Sequence, residues 1–375
     1  MANASALPRL EALLQLRTLI GADLVTRRPR RPIPLADWSR LIDLADELMV
    51  TPALWSQLQN HPKPLPAEIT ERVRESHLGN TVRNLRFKRS LIAAISALNQ
   101  VGITPLLFKG SLALVDGTLP RLGDRVMVDL DILIPAQTMN GAGGALGEIG
   151  WKPYPGKPFL HPHELPFVLT SAPGPIELHT ELGSEPIPTA LPAAAAWAAS
   201  TEISVDGARV RALSPTHQVL HNVLHAAVQD LNHAVGGLPL RQLLALSQLA
   251  SAHGLAIDWP GIRRTMEKLG LGDALRDHLW LAHRYAGLAL PGGDWGWRGG
   301  RASLHEARVL INFALGWPAH VHRNLHYAFG RAYLDSLYAH GDRPLHLASA
   351  RLRHGAKLLR QSRRGALRDA LERKM

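Results

Sequence analysis

The sequence contains no cysteine among its 375 residues. Disulfide bonds and thiolate metal sites are therefore excluded, and a reducing compartment is compatible with this composition. Long apolar runs are also missing, because the best candidate, residues 190–199, is a short alanine-rich stretch below the ~18 residues of a membrane span. Residues 1–24 lack the continuous apolar core of a signal peptide and predict an amphipathic helix. We therefore expect a cytoplasmic protein without a membrane span.

Hydrophobic residues nevertheless make up 46% of the chain, enough for two or three domains with their own cores. Leucine spacing predicts a helical region over residues 1–85, and a second helical region is expected over 191–350. Between them, residues 86–190 mix strand and turn signals and are predicted to form a core that contains the sheet. A basic tail, 351–375, completes this organisation. The predicted fold class is α+β, a small mixed sheet flanked by helical regions.

The segment Leu106–Pro135 carries two carboxylates one residue apart, Asp129 and Asp131. Alternation over residues 128–134 predicts a strand, and side chains at i and i+2 of a strand leave the same face. Two carboxylates this close repel each other, and a divalent cation such as Mg²⁺ relieves the repulsion. The alternative is an amphipathic strand whose aspartates simply face water.

The residues before this pair outline a phosphate site. Leu106–Phe108 reads as a short strand, Gly110-Ser111 as a turn, and Leu112 as the opening of a helix, where backbone N–H groups attract anions. An ordinary strand-to-helix turn with a serine N-cap has the same pattern. The nearby cations Lys109 and Arg125 can hold a polyphosphate or pair with the aspartates, and the sequence does not separate these roles.

A third carboxylate comes from a predicted hairpin further along the chain. Strand 167–170, a turn over 171–175 and strand Ile176–His179 place Glu177 in an otherwise apolar strand start. Three carboxylates would complete a site for metal-assisted phosphoryl transfer.

The order strand, Lys-Gly-Ser, helix, Arg-x-x-x-Asp-hydrophobic-Asp and then Ile-Glu-Leu-His resembles the bacterial uncharacterised nucleotidyltransferase family, within the polymerase-β-like nucleotidyltransferase superfamily. The likeness extends over roughly residues 30–250 and includes residues 38–58 and the helix that begins at Ser214. It departs from the family pattern in a long segment before Glu177, where residues 151–175 contain seven prolines.

The resemblance implies a polymerase-β-like core in which Asp129 and Asp131 bind metal and Glu177 is the third acidic ligand. It also implies that Gly110 and Ser111 contact a triphosphate. The expected activity is transfer of NMP from an NTP, expected to be ATP, to a hydroxyl of a small molecule, RNA or protein, with two Mg²⁺ ions.

Each residue then has an expected role. Asp129 and Asp131 would hold the ion at the β/γ-phosphates and share a second ion with Glu177, which would take the acceptor proton. Lys109 or Arg125 would neutralise the leaving pyrophosphate. Two alternatives stay open: a toxin-like enzyme that modifies tRNA ends, and a protein that binds nucleotide without transferring it, in which Glu177 would be misplaced.

Histidines 217, 221 and 225 share one helical face, with His233 beyond them. This spacing can bind a transition metal. No glutamate stands inside the His-x-x-x-His spacing as metalloproteases require, and the neighbouring residues are apolar. We therefore interpret these histidines as packed or pocket-lining groups.

The formal net charge is +11, of which the tail 351–375 supplies +7 through nine Lys and Arg residues against Asp369 and Glu372. Leu352, Leu359, Leu367 and Leu371 are loosely helical in spacing, so the tail can form an amphipathic helix that contacts RNA or anionic lipid. A solvated basic helix packed on the body explains the same pattern.

Deleting residues 351–375 tests these two interpretations of the tail. If the tail contacts a polyanion, the truncated chain should bind RNA or anionic vesicles more weakly and with a flatter salt dependence, because counterion release is lost with each phosphate contact. Transfer to a small acceptor should be nearly unchanged, since the tail begins more than 170 positions after Glu177. A folded truncation that keeps both affinity and salt slope in an anisotropy titration would favour the packed helix.

Overall fold

The computed structural model describes residues 6–20, 35–59, 65–154, 164–293, 295, 300–315, 349 and 351–353. The chain forms two compact units, residues 1–315 and 316–375, and the elements below all belong to the first. Residues 354–375 of the predicted basic tail and residues 155–163 of the proline-rich segment lie outside the described residues.

The described residues contain seven strands that form one mixed sheet. They are β1 (Leu106–Leu107), β2 (Leu130–Leu133), β3 (Lys152–Pro153), β4 (Glu164–Val168), β5 (Ile176–His179), β6 (Thr201–Val205) and β7 (Ala208–Ala212). Their order across the sheet is β3-β4-β5-β2-β1-β7-β6. The pairs β2–β5 and β1–β7 are parallel, and the other neighbours are antiparallel. The predicted α+β class is confirmed.

The helices lie before, between and after the strands. They are α1 (Ala6–Ile20), α2 (Leu35–Glu47), α3 (Thr51–Leu58), α4 (Ala67–Gln100), α5 (Lys109–Ala113), α6 (Met139–Glu148), α7 (Ile187–Ala190), α8 (Ala193–Ala198), α9 (Pro215–Val223), α10 (Asn232–Val235), α11 (Leu240–His253), α12 (Trp259–Lys268), α13 (Gly272–Ala286) and α14 (Arg301–Ala314). A single π-helical segment, residues 224–229, continues α9.

The middle of the sheet is buried on both faces. All four residues of β2 and both residues of β1 are buried, as expected for apolar strands in the centre of a covered sheet. The long helix α4 packs against β7 and α6, with Phe87, Leu91 and Ile95 fully buried. The first helix, α1, contacts both α13 and α14, so the N-terminal and C-terminal helices share one hydrophobic core.

The helical region predicted from residue 191 is interrupted by two strands. β6 and β7 form a hairpin, and β7 joins the sheet beside β1, with Leu106 opposite Arg211. The turn residues Asp206 and Gly207 have φ of 48° and 83°, which is the Asp-Gly signal of a two-residue hairpin. The prediction of helix over residues 201–212 was wrong, because the Asp-Gly turn favours a β-hairpin although helices lie on both sides of it in the sequence.

Two further expectations can be compared with the fold. The predicted hairpin before Glu177 is confirmed, because β4 and β5 pair with Phe167 opposite Ile176. The predicted boundary at residue 85, in contrast, falls inside α4, which runs continuously through 34 residues from the helical region into the core.

Two asparagines of α4 hold the loop that leads to the aspartates. The amide of Asn80 donates hydrogen bonds to Gly123 O and Arg125 O at 2.8 and 2.9 Å. The amide of Asn84, which is fully buried, donates to Leu122 O and again to Arg125 O at 2.6 and 2.8 Å. Loop carbonyls that would otherwise be buried without partners are thereby satisfied, and the backbone beside Arg125 is fixed.

Asn84→Ala should therefore lower the free energy of unfolding by about 1–3 kcal/mol, the cost of leaving a buried carbonyl without a donor. The substitution does not remove the Asn80 bond to Arg125 O, so the loop should loosen rather than unfold. Thermal and urea denaturation measure the effect. Arg89→Ala on an exposed position of the same helix is the matched control and should change stability by less than about 0.5 kcal/mol. Equal stability of the two variants would contradict this account of the loop.

Candidate active site

The site is built on the parallel pair β2 and β5. Their register places Asp131 opposite Glu177 and Leu133 opposite His179, and residues opposite each other in a sheet point to the same face. Glu177 and His179 are two residues apart on β5, so they also share that face. The backbone ladder continues at both ends, where Leu130 N donates to Pro175 O and Ile134 N donates to His179 O, each at 2.9 Å.

A close backbone approach fixes this register at the start of β5. A Cβ on Gly174 would collide with Val128 O and with the ring of Phe87. Only glycine lets the turn before β5 lie this close to the chain that leads into Asp129.

The three side chains form a compact polar group at the end of a buried strand pair. One ligand atom from each of Asp131, Glu177 and His179 lies within 4.8 Å of the others. His179 Nε2 is 3.1 Å from Asp131 Oδ1 and 3.7 Å from Glu177 Oε2. Neither ring nitrogen of His179 has a partner with hydrogen-bond geometry among the described residues, although the ring is only 3% exposed. A buried polar group in this condition suits coordination of a cation.

Lys109 supplies the positive charge that the structure places beside Asp131. Its Nζ donates a hydrogen bond to Asp131 Oδ1 at 2.7 Å. Lys109 has a left-handed backbone, with φ of 49°, directly after the extended residue Phe108. Strained backbone of this kind outside glycine is often found at functional sites.

Phe108 packs between two of the histidines. Its ring meets His179 edge to face at a centroid distance of 5.2 Å and meets His221 in the same way at 5.3 Å. His221 Nε2 forms a hydrogen bond with Leu182 O at 2.8 Å. Burial, with Lys109 and His225 nearby, holds the pKa of His221 well below its usual value, so its ring is neutral at pH 7.

The two aspartates differ in electrostatics. Burial alone would raise the pKa of Asp131, but Lys109 and His179 outweigh it and hold that pKa well below the usual value. Burial and the Asp131 charge raise the pKa of Asp129. For Lys109, burial would lower the pKa, and the Asp131 carboxylate reverses this and raises it. Asp131 is therefore the fixed anion of the site and Asp129 the less stabilised one.

A cavity of about 310 Å³ opens over this group. Six of the seven residues predicted from the sequence line it: Lys109, Gly110, Arg125, Asp129, Asp131 and Glu177. β2 begins one residue after Asp129, yet both aspartates face the cavity.

Ser111 is placed differently from the other predicted residues. It does not line the cavity, and it is fully buried with its Oγ unpaired among the described residues. The helix α5 begins at Lys109, so Gly110 and Ser111 lie inside its single turn rather than before it. The sequence predicted the turn at Gly110-Ser111, but the left-handed conformation of Lys109 places it before Gly110.

The cavity also contains residues that the sequence analysis did not single out. His179 was present in the Ile-Glu-Leu-His motif, and its i+2 spacing from Glu177 is the signal that could have assigned it. Arg241 on α11 lines the cavity and donates to Val126 O at 3.2 Å. Burial and the charge of Arg241 lower the pKa of Arg125 to about 10. Both guanidiniums line the same cavity.

The helical histidines agree with their interpretation as pocket-lining or packed groups. His221 and His225 line the cavity, and His225 Nδ1 lies 3.3 Å from Asp230 Oδ2. The described residues contain two groups able to hold a metal, and neither includes His217, His221 or His225. His233 is different, because it belongs to one of these groups with Asp277 and His305.

The sequence of this chain matches the family model described as uncharacterised nucleotidyltransferase over residues 34–287. The chain belongs to this family. The predicted resemblance is confirmed, and the match extends beyond residue 250, through the whole of α11, α12 and α13. No curated protein and no solved structure matched the chain. Among the described residues, no helix is long and apolar enough to cross a membrane.

If Asp131, Glu177 and His179 bind a divalent cation, Mn²⁺ or Mg²⁺ should raise the melting temperature of the full chain. An ion at 100 times its Kd stabilises the folded state by about 2.7 kcal/mol. Glu177→Gln should reduce this rise in a thermal-shift titration. Glu181→Gln is the control, because Glu181 accepts a hydrogen bond from Ala193 N outside the cavity. An undiminished rise in Glu177→Gln would remove Glu177 from the metal site.

Proposed function

We propose that this nucleotidyltransferase transfers NMP from an NTP, with Mg²⁺, to a hydroxyl acceptor. The proposal rests on one observation. Asp129, Asp131 and Glu177 line a cavity that is also lined by three cationic side chains. The carboxylates suit a hard divalent ion, and the cations suit phosphate oxygens.

The charge of the cavity lining supports a requirement for metal. The lining contains four carboxylates, Asp129, Asp131, Glu177 and Asp230, against the cations Lys109, Arg125 and Arg241. The protein cations are thus already balanced by protein anions. A triphosphate entering this cavity needs additional positive charge, and divalent ions held by Asp129, Asp131 and Glu177 would supply it.

The chain's own residues would perform three tasks. Arg125 and Arg241 would bind the phosphate chain, because their planar guanidiniums match pairs of phosphate oxygens. Lys109 would keep Asp131 ionised through their 2.7 Å bond. Glu177, whose side chain is 20% exposed, would take the proton of the acceptor hydroxyl. The acceptor oxygen bonds to the α-phosphorus, the bond from that phosphorus to the bridging oxygen breaks, and pyrophosphate leaves.

The predicted contact of Ser111 with the triphosphate has less support than those of Lys109, Gly110 and Arg125. A buried Oγ that does not line the cavity would need the backbone of α5 to move before it met a phosphate. Gly110 does line the cavity, where the Met127 side chain occupies the space that a Cβ would take.

The size and polarity of the cavity are compatible with a small ligand. Its volume of about 310 Å³ is at the lower end of the ~300–1,000 Å³ of small-molecule sites. Amide side chains of Gln218, Asn222, Gln229 and Gln242 contribute to the lining. Several of their groups already bond within the protein, such as Gln218 Nε2 with Leu213 O and Gln229 Oε1 with Ser184 N.

Asp129→Asn and Asp131→Asn should each abolish Mg²⁺-dependent transfer, because an amide keeps the shape of the carboxylate and loses its charge. Glu177→Gln should keep NTP binding and lose turnover by ~10²-fold or more, the scale of general acid–base catalysis. The assay incubates the full chain with Mg²⁺ and each α-labelled NTP in a cell extract, and then identifies the labelled fraction as RNA, protein or small molecule.

Glu181→Gln is the matched control and should transfer at the wild-type rate. Wild-type turnover in either aspartate variant would contradict the metal role of that residue. Nucleotide binding by the wild-type chain without label on any acceptor, for any NTP, would favour a nucleotide-binding protein without transfer activity.

A further inference from the structure

A second polar group lies outside the cavity, where three helices meet. His233 is on α10, Asp277 on α13 and His305 on α14, and none of the three lines the cavity. His233 Nε2 is 3.0 Å from Asp277 Oδ2, and His305 Nδ1 is 3.8 Å from the same oxygen. One ligand atom of each residue lies within 4.8 Å of the others.

These distances match the ligand spacing around a zinc ion. With Zn–N and Zn–O bonds of about 2.0–2.2 Å, two ligands of a tetrahedral ion are about 3.3–3.5 Å apart. The two separations from Asp277 Oδ2 bracket that value. The three ligand atoms already lie within 4.8 Å of one another, so side-chain adjustments would let the group hold one ion.

The two imidazoles face the same carboxylate. Their rings stack with centroids 4.7 Å apart and an interplanar angle of 21°. Each ring has a nitrogen close to Asp277 Oδ2, at 3.0 Å for His233 and 3.8 Å for His305.

We propose that His233, Asp277 and His305 form a zinc site that joins α10, α13 and α14. Nitrogen and carboxylate ligands in a set of two histidines and one acid suit Zn²⁺ among the common metals. The proposal does not depend on nucleotidyl transfer.

The surroundings of the group support metal ligation. Arg276 Nη2 lies 3.3 Å from Asp277 Oδ1, so this carboxylate can be held by an arginine through one oxygen and face the ion with the other. Asp277 and His305 are nearly buried, whereas the side chain of His233 is 30% exposed. An ion would therefore reach the group from solvent on the side of His233.

The helices are also held in place around the group. Asn312 on α14 donates to Val235 O on α10 at 2.7 Å, and Arg308 on the same helix donates to Ala234 O. Gly236, with φ of 66°, ends α10 against these two side chains, where a Cβ would overlap Asn312. A rigid frame around ligands favours binding because little ordering is needed.

The experiment measures zinc binding to the full chain purified without a polyhistidine tag. It uses the Glu177→Gln background, so that the cavity group contributes less to the signal. We expect one equivalent of Zn²⁺ by titration against a chelating dye. His233→Gln, His305→Gln and Asp277→Asn should each weaken binding by more than ~100-fold, beyond the ~10–100-fold typical of changes around a metal's ligands.

His283→Gln is the control, because it removes an exposed histidine from the same helix as Asp277 and should leave the affinity unchanged. Full zinc affinity in folded His233→Gln or His305→Gln would overturn the proposal. A second measurement does not depend on variants that fold: Co²⁺ added to the same background should give the visible absorption of nitrogen and oxygen ligation, and Zn²⁺ should displace it. A chain that binds neither ion also overturns the proposal.

Discussion

The ion pair of Lys109 with Asp131 is the interaction on which the site depends. Asp131 belongs to a strand whose residues are all buried, so its charge needs a close partner to be tolerated. Removing one member of a buried pair generally costs roughly 3–5 kcal/mol, a large part of the roughly 5–15 kcal/mol that stabilises a domain. Lys109, with its left-handed backbone, and β2, which pairs in parallel with β5, provide the two partners of this ion pair.

The same pair explains why two adjacent aspartates are chemically different. Lys109 and His179 hold Asp131 in its charged form, and that charge in turn raises the pKa of Asp129. A nearby cation favours the ionised form of a carboxyl group. This effect changes the protonation state more for Asp129, whose pKa is raised, than for Asp131, whose charge Lys109 already stabilises. Asp129 is therefore the residue whose protonation state should respond most to metal, whereas Asp131 sets the field in which metal and phosphate would bind.

Local sequence signals predicted the parts of the site that depend on neighbours in the chain. The carboxylate pair, the hairpin before Glu177 and the mixed sheet could all be predicted from alternation and turn residues. His179 was within reach of such a signal through its i+2 spacing from Glu177, but the place of Arg241 depends on a helix more than a hundred residues after Asp131. Likewise, His233, Asp277 and His305 come together only through the packing of three helices. Spacing along one chain carries no information on such contacts.

The cavity is lined by residues of the sheet and of the helices that follow it. Its lining runs from Lys109 on α5 to Leu249 on α11, and α9 provides His221 and Asn222. Phe108 directly follows β1, and its ring packs against His179 of β5 and against His221 of α9. This one ring therefore contacts both the sheet and the helix that line the cavity. Asn222 Oδ1 also lies 3.2 Å from His278 Nε2 on α13, next to Asp277. A boundary at residue 190 would divide this cavity, so the helices after the sheet belong with the sheet in one unit, in agreement with a family match that continues to residue 287.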